Sequence, residues 1–278
     1  MKKIVHSVIE YIEVIKEIRQ RHESSDFLFR GQGNSEWKIE STLERSGLFE
    51  ISFAKYYHDI DYLKPEINSL GHSFQRKIVS TGYDFDFTKW RDISFNHFPD
   101  LEFLAYLRHH GFPTPLIDVT QSEYVALFFA CESFGLKNCQ NKICNAKVFV
   151  LLDMFGSSSV SGHPELHKIG HYLETDKRHI AQQSEYLITA QYGMADKREW
   201  FFVPFESFMQ QEQSIEEAVI ENSGEQEQSY YEIEIDGNSK KDIMAELARM
   251  NINHYTLYLS EDALVQKLKH EFLRNVLK

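Results

Sequence analysis

Cysteine is scarce in this chain, and positive charge is outweighed. Three cysteines, Cys131, Cys139 and Cys144, occur in 278 residues. Their odd number and the lack of a C-x-x-C spacing argue against a disulfide framework or a zinc ribbon and for reduced thiols. Lys and Arg number 30 against 42 Asp and Glu, a formal charge of -12. Such a chain repels a phosphate backbone unless its cations gather locally, so duplex nucleic acid is a disfavoured partner. No stretch approaches the roughly 18 apolar residues that span a bilayer; the richest, YVALFFAC at 124–131, is too short. The opening MKKIVHSVIEYIEVIKEI runs into acids rather than an apolar segment with a cleavage site, so it does not read as a secretory signal. A cytoplasmic protein without a membrane partner is expected. No internal repeat or linker stands out.

What is present is a composition able to build a core: 42% hydrophobic and 14% aromatic residues. Ser7 and Glu10 have capping-box spacing, and Val8, Tyr11, Ile12, Ile15 and Ile18 recur at helical intervals, which predicts a helix over 8–20. Phe27-Leu28-Phe29 before Arg30-Gly31-Gln32-Gly33 reads as a buried strand ending in a glycine turn. Residues 48–70 carry helical signals broken at Pro65, and 71–97 read as helix plus loop. Pro99 and Asp100 introduce a helix that Gly111 stops. Pro113 and Pro115 then force an extended entry into a strand at 116–120. Ser122 caps the next helix, and strands follow at 147–152, 186–189, 200–203 and 230–235. The acidic, Gln-rich stretch 210–228 reads as a solvated excursion. Two helices close the chain, one with Ile243, Leu247 and Met250 inward and one with Leu264, Leu268 and Phe272 inward. The fold expected is α+β. It is read as one domain over 1–278, with a small mixed or antiparallel sheet and the helices at 8–20 and 239–277 packed on the core.

Three places put polar groups at the edges of apolar strands. Arg30 follows a strand and precedes Gly31, Gln32 and Gly33. A guanidinium there offers a two-pronged donor for phosphate or carboxylate, or pairs with an internal acid to finish the sheet. Asp118, Thr120 and Ser122 lie in a turn before a helix, where they receive a ligand or simply cap the helix. Gln183 and Glu185 flank the start of a strand, where an amide and a carboxylate could engage a sugar hydroxyl and an oxocarbenium-like centre. His109 and His110 beside Gly111 run into the Asp118 strand and are candidates for function or for the core. His163, His167 and His171 have helical metal-ligand spacing, but Pro164 and Gly170 interrupt it, so no metal is expected.

Four segments together resemble the FRG domain: FLFRGQGNSEWKIESTLER at 27–45, LRHHGFPTPLIDVTQSEYVALFFAC at 107–131, RHIAQQSEYLI at 178–188 and KKDIMAELARMNINHYTLYLSEDALVQKL at 240–268. The family pattern is roughly QHYGLPTRLLDWT followed by ALFFA. Arg108 stands here where Gln is usual, His110 where Tyr is, Pro115 where Arg is and Val119 where Trp is. A more distant similarity links Arg30, Thr120 and Gln183-Ser184-Glu185, in that order, to ADP-ribosyltransferases of the Arg, Ser-Thr-Ser, Glu type; the middle motif reads Asp-Val-Thr instead. The resemblance implies an NAD-dependent ADP-ribosyltransferase or NAD glycohydrolase of the bacterial-toxin or antiphage-effector kind. NAD would be the substrate and an unidentified macromolecule the acceptor. Arg30, with Gly31 and Gln32, would hold the pyrophosphate. Asp118 and Thr120 would hold the nicotinamide ribose, near His109. Tyr124 or Tyr186 would stack on the ring, Glu185 would stabilise the oxocarbenium and Gln183 would orient an acceptor. The competing expectation is a non-catalytic module that uses the Arg30–Asp118 cleft to sense a nucleotide or dock a regulatory protein.

Overall fold

The computed structural model describes residues 3–23, 25–75, 98–133, 135–137, 141–152, 163–170, 173–175, 177–193, 199–212, 214 and 230–276. The expectations for 76–97, for Cys139 and His171, and for nearly all of the Gln-rich stretch fall outside these residues. Among the described residues nine strands occur: β1 (Lys3–Val5), β2 (Phe27–Gln32), β3 (Ile51–Ser52), β4 (Ile117–Thr120), β5 (Ala146–Leu152), β6 (Pro164–Ile169), β7 (Ser184–Tyr192), β8 (Trp200–Phe202) and β9 (Tyr230–Ile235). They form one open sheet in the order β1-β9-β5-β2-β4-β7-β8-β3, with β6 paired to β7. The β1–β9 pair is parallel and the others are antiparallel. The expected α+β class holds, but the sheet is larger than the small one read from sequence. The added strands β1, β3 and β6 are short or carry charged and imidazole side chains that blur a period of two.

Helices cover one face of this sheet in two groups. The first group is α1 (Val8–Arg21), α6 (Glu123–Cys131), α9 (Lys240–Arg249) and α10 (His254–Tyr258). Their apolar residues Ile15, Phe128 and Leu247 join Phe29, Val148, Val150 and Ile233 of β2, β5 and β9 in a continuous core. The second group is α3 (Phe53–Asp61) and α5 (Leu101–His109), whose Phe53, Tyr57 and Leu104 pack on Tyr186, Ile188, Trp200 and Phe202 of β7 and β8. On the opposite face, Leu28, Ile117, Val119 and Leu187 pack with Phe205 and Phe208 of the helical residues 205–212, α8. Strand alternation therefore sends Asp118 and Thr120 to the face between the two helix groups, and Ile117 and Val119 to the other.

Local signals account for many boundaries. Ser7 caps α1, its hydroxyl accepting from Glu10 N–H at 3.2 Å, while Glu10 accepts from His6 N–H. Pro65 does not break a helix; it sits in the first turn of α4 (Lys64–Asn68), where its missing N–H costs nothing. Gly111 ends α5 in the left-handed region at φ 79°. Pro164, which interrupted the histidine series, begins strand β6, so His167 lies in a sheet and not on a helix.

The C-terminal expectation needs correction. The last helix, α11 (Glu261–Val276), forms, yet Leu264, Leu268 and Phe272 are 37%, 50% and 65% exposed. Met250, at the end of α9, is exposed as well. Periodicity identifies an apolar stripe but not the element that covers it. No described helix is long and apolar enough to cross a membrane.

Candidate functional site

The gap between the two helix groups is a cleft of about 360 Å³. Its floor is a row across three strands: Phe29 is opposite Thr120, and Thr120 is opposite Ser184. One wall comes from β2 and α6, and Gly31 explains how they approach so closely. A Cβ on Gly31 would lie 1.9 Å from the Ala126 carbonyl oxygen, so only glycine lets this helix sit on the strand. The loop beyond is pinned from behind, because Lys240 Nζ donates to Gly33 O at 2.7 Å.

Four arginines line the cleft: Arg30, Arg45, Arg108 and Arg178. Arg30 reaches from β2 to donate through Nη1 to Asp118 O at 2.6 Å, and its buried Nε has no hydrogen-bond partner. Arg45 closes α2 (Thr42–Arg45), a short helix fixed by a capping box in which Ser41 and Glu44 bond each other's backbone N–H. Arg108 forms an ion pair with the Asp118 carboxylate, and its Nε is also buried without a partner. Arg178 enters from α7 (Lys177–Ala181). Asp118 and Glu132 are the acids that line the cleft.

Burial is the main influence on the ionisation of the site. Burial lowers the Arg30 guanidinium to about 10; Asp118 opposes that shift, and Arg108 and Arg45 add to it. Arg30 therefore stays protonated at neutral pH but is short of compensating charge. Burial raises the Glu132 carboxyl to about 7, against a hydrogen bond from the Tyr258 hydroxyl at 3.2 Å. His109 lines the same cleft and shares a 3.0 Å hydrogen bond between its Nε2 and the Tyr186 hydroxyl. Trp37, Phe129 and Tyr258 supply aromatic surface. Among the described residues no group of three or more His, Cys, Asp or Glu is placed to hold a metal ion.

Residues 25–138 match the family model of the FRG domain. The chain carries an FRG domain. Comparison with curated proteins and with solved structures gives no match. The FRG segment supplies Arg30, Arg45, Arg108, Asp118 and Glu132, while Arg178, Gln182, Ser184 and Tyr258 complete the cleft from beyond it.

Of the residues expected at the site, Arg30, Gly31, Gln32, His109, Asp118 and Thr120 come together in the cleft. Two of them have structural duties there. Gly31 accommodates α6 rather than a ligand, and the Thr120 hydroxyl is engaged, donating to Gln182 O at 2.7 Å and accepting from Ser122 N–H at 3.1 Å. Ser122 caps α6, as a polar residue before an apolar helix should.

Glu185, Gln183 and Tyr124 stand outside the cleft. Glu185 is fully buried on the other face of β7, where Gln121 Nε2 donates to its Oε1 and Lys168 Nζ lies 3.4 Å from Oε2. Its neighbour Ser184 faces the cleft, so strand alternation alone turns the carboxylate away. Gln183 occupies an exposed turn at φ 47°. Tyr124 packs beside the first core on α6, and Tyr186 lies beneath His109 without lining the cleft.

Val119, at the position of the family's usual Trp, points its side chain into the core of the opposite face. The residues not anticipated include Arg45, Arg108, Arg178, Glu132, Trp37, Phe129 and Tyr258. The arginine signal was available, because all four arginines fall within segments that carry the FRG resemblance. Glu132 had none, since its ionisation depends on burial.

Proposed function

We propose that the cleft binds a phosphate-bearing nucleotide, with its phosphates on Arg30, Arg45, Arg108 and Arg178. The observation that carries this reading is a charge imbalance in a chain of net charge -12. Four guanidiniums share one cleft with Asp118, already paired to Arg108, and with Glu132, which is close to half neutral at pH 7. Guanidiniums recognise phosphate through paired charge-assisted hydrogen bonds, and the buried Nε atoms of Arg30 and Arg108 are donors left for a ligand. Arg30 and Arg45 form no ion pair with a described acid, and two such cations favour a ligand with two or more negative charges. Trp37, Phe129 and Tyr258 offer faces on which a base can stack.

NAD belongs to this ligand class through its pyrophosphate. Binding is proposed in preference to ADP-ribosyl transfer because the carboxylate expected to assist glycosidic cleavage, Glu185, is buried on the far side of the sheet. Calorimetry with ADP, NAD, inorganic phosphate and adenosine tests the reading. ADP and NAD should bind at least tenfold more tightly than adenosine, and Arg30→Ala or Arg108→Ala should each weaken ADP binding by roughly 10- to 100-fold. Equal affinity for ADP and adenosine would overturn it.

A further inference from the structure

The last helix, α11, has two unlike sides. Ser260 starts it by accepting from Ala263 N–H at 3.2 Å. At about 100° per residue, Ala263, Lys267 and His270 fall on the side that rests on the molecule. Ala263 is buried, Lys267 and His270 are half-buried, and the His270 ring meets the His254 ring of α10 at 4.6 Å. Leu264, Val265, Leu268 and Phe272 share an arc turned away from that side, with Val265 61% and Phe272 65% exposed. Leu259, one residue before Ser260, is exposed as well. The arc presents on the order of 400 Å² of contiguous apolar side chain, as large as the patches by which soluble proteins dock.

Charge says what covers this arc. The chain carries a net charge of -12, yet α11 sets three acids, Glu261, Asp262 and Glu271, against three bases, Lys267, Lys269 and Arg274, and is neutral. Two copies of an acidic molecule therefore meet here without the repulsion that opposes them elsewhere. Glu271 is matched within the helix by Lys267 at 3.5 Å. Asp262 and Lys269 are exposed and form no ion pair with a described residue. They lie seven residues apart, about 10 Å along the axis, on the same flank of the arc beside Val265. When two identical helices pair antiparallel about a twofold axis, like flanks meet, so Asp262 of each copy faces Lys269 of the other. A parallel pairing joins opposite flanks and sets Lys269 beside Lys267 of the second copy, which is repulsive.

We propose that this face of α11 is the surface through which two copies of the chain pair, antiparallel, about an axis that crosses the helices between Val265 and Gln266. Leu264, Val265 and Leu268 of both copies meet at the axis, Phe272 of each reaches toward Leu259 of the other, and the two Asp262–Lys269 pairs close one rim. With their polar rims the two faces bury on the order of 1,000 Å², the lower bound for a specific interface, so the dimer is a weak and reversible one. The pairing does not depend on the nucleotide-binding reading above.

Sedimentation equilibrium of the full chain over about 1–500 μM should show a monomer–dimer equilibrium with a Kd of roughly 1–100 μM. Phe272→Glu should weaken it at least tenfold with Tm unchanged, since the side chain is exposed in the monomer. Asp262→Lys and Lys269→Asp should each raise Kd about three- to tenfold at low salt, and the two together should restore the wild-type value within about twofold. Val265→Cys should give a disulfide-linked dimer under mild oxidation that the wild-type chain does not form. A chain that stays monomeric throughout, or a dimer that Phe272→Glu leaves intact, would overturn the pairing. Failure of the charge exchange to restore Kd would overturn the antiparallel register. Sedimentation of a monomeric chain with vesicles of phosphatidylcholine and phosphatidylserine would assign the face to a lipid surface and overturn the pairing as well.

Discussion

Two clusters of charge lie on the same side of the sheet and resolve their charge in opposite ways. Lys64 is fully buried, and its Nζ donates to Asp61 Oδ1 and Asp100 Oδ2, both at 2.8 Å, and to Gln75 O at 2.7 Å. All three ammonium donors are used, so this cluster is complete without a ligand. In the cleft, four arginines face Asp118 and a half-neutral Glu132, and the buried Nε of Arg30 and of Arg108 finds no partner. A buried cation whose donors are matched holds helices together. Arg30, with a buried donor left unmatched at an open cleft, is the basis of the proposed ligand site.

The largest effect should come from breaking the closed cluster. Lys64→Ala leaves two buried carboxylates without their cation and should lower the unfolding free energy by about 3–5 kcal/mol, read from urea denaturation. Next is the contact that lets the cleft exist. Gly31→Ala forces a Cβ into the Ala126 carbonyl and should cost on the order of 1–3 kcal/mol or more; a variant as stable as wild type would show that α6 can shift.

Arg108→Ala sharpens the comparison from the other side. It removes a partly exposed pair with Asp118, so stability should change by no more than about 1 kcal/mol while the ADP-induced rise in Tm is largely lost. A loss of stability as great as that of Lys64→Ala would place both clusters in the structural class.

The smallest effect concerns pH. Glu132 has a folded-state pKa raised from 4.5 to about 7, so the folded state prefers the protonated form. Stability tied to this group is greatest below about 4.5 and is lost progressively as pH rises through 7. Glu132→Gln should therefore gain stability relative to wild type between pH 5 and pH 8, by a rise in Tm of a few degrees at most. A difference in Tm that stays constant across that range would mean that the carboxyl titrates normally.

Much of the frame was legible because it rests on local rules. Ser7 and Ser122 cap the helices they precede, Phe27–Phe29 form a strand, and the alternation of Tyr231, Ile233 and Ile235 marks β9. Ser41 and Glu44 had capping-box spacing as well, and reading it would have placed Arg45 at the end of a helix. Elements that depend on partners were harder. Strand β6 presents His167 and Glu165 to each other at 3.3 Å inside a sheet, whereas the chain spacing of His163, His167 and His171 imitates a helix. The stripe Leu264, Leu268 and Phe272 has correct helical period yet stays exposed.

By itself, then, the sequence determined the α+β class, the strand that carries Arg30, the capped helix after Thr120 and the FRG pattern that joins them, since each follows from neighbours within a few residues. Tertiary structure decided which side chains meet. Arg45, Arg108 and Arg178 reach the cleft of Arg30 from three separate helices, and Glu132 acquires its raised pKa only through burial in the fold, against the hydrogen bond from Tyr258 on α10. Glu185 and Ser184 are adjacent in the chain, yet the period of two in β7 buries one and opens the other to the cleft. Electrostatic character arises from distance and desolvation between segments far apart in the chain, and neither is written in the order of residues.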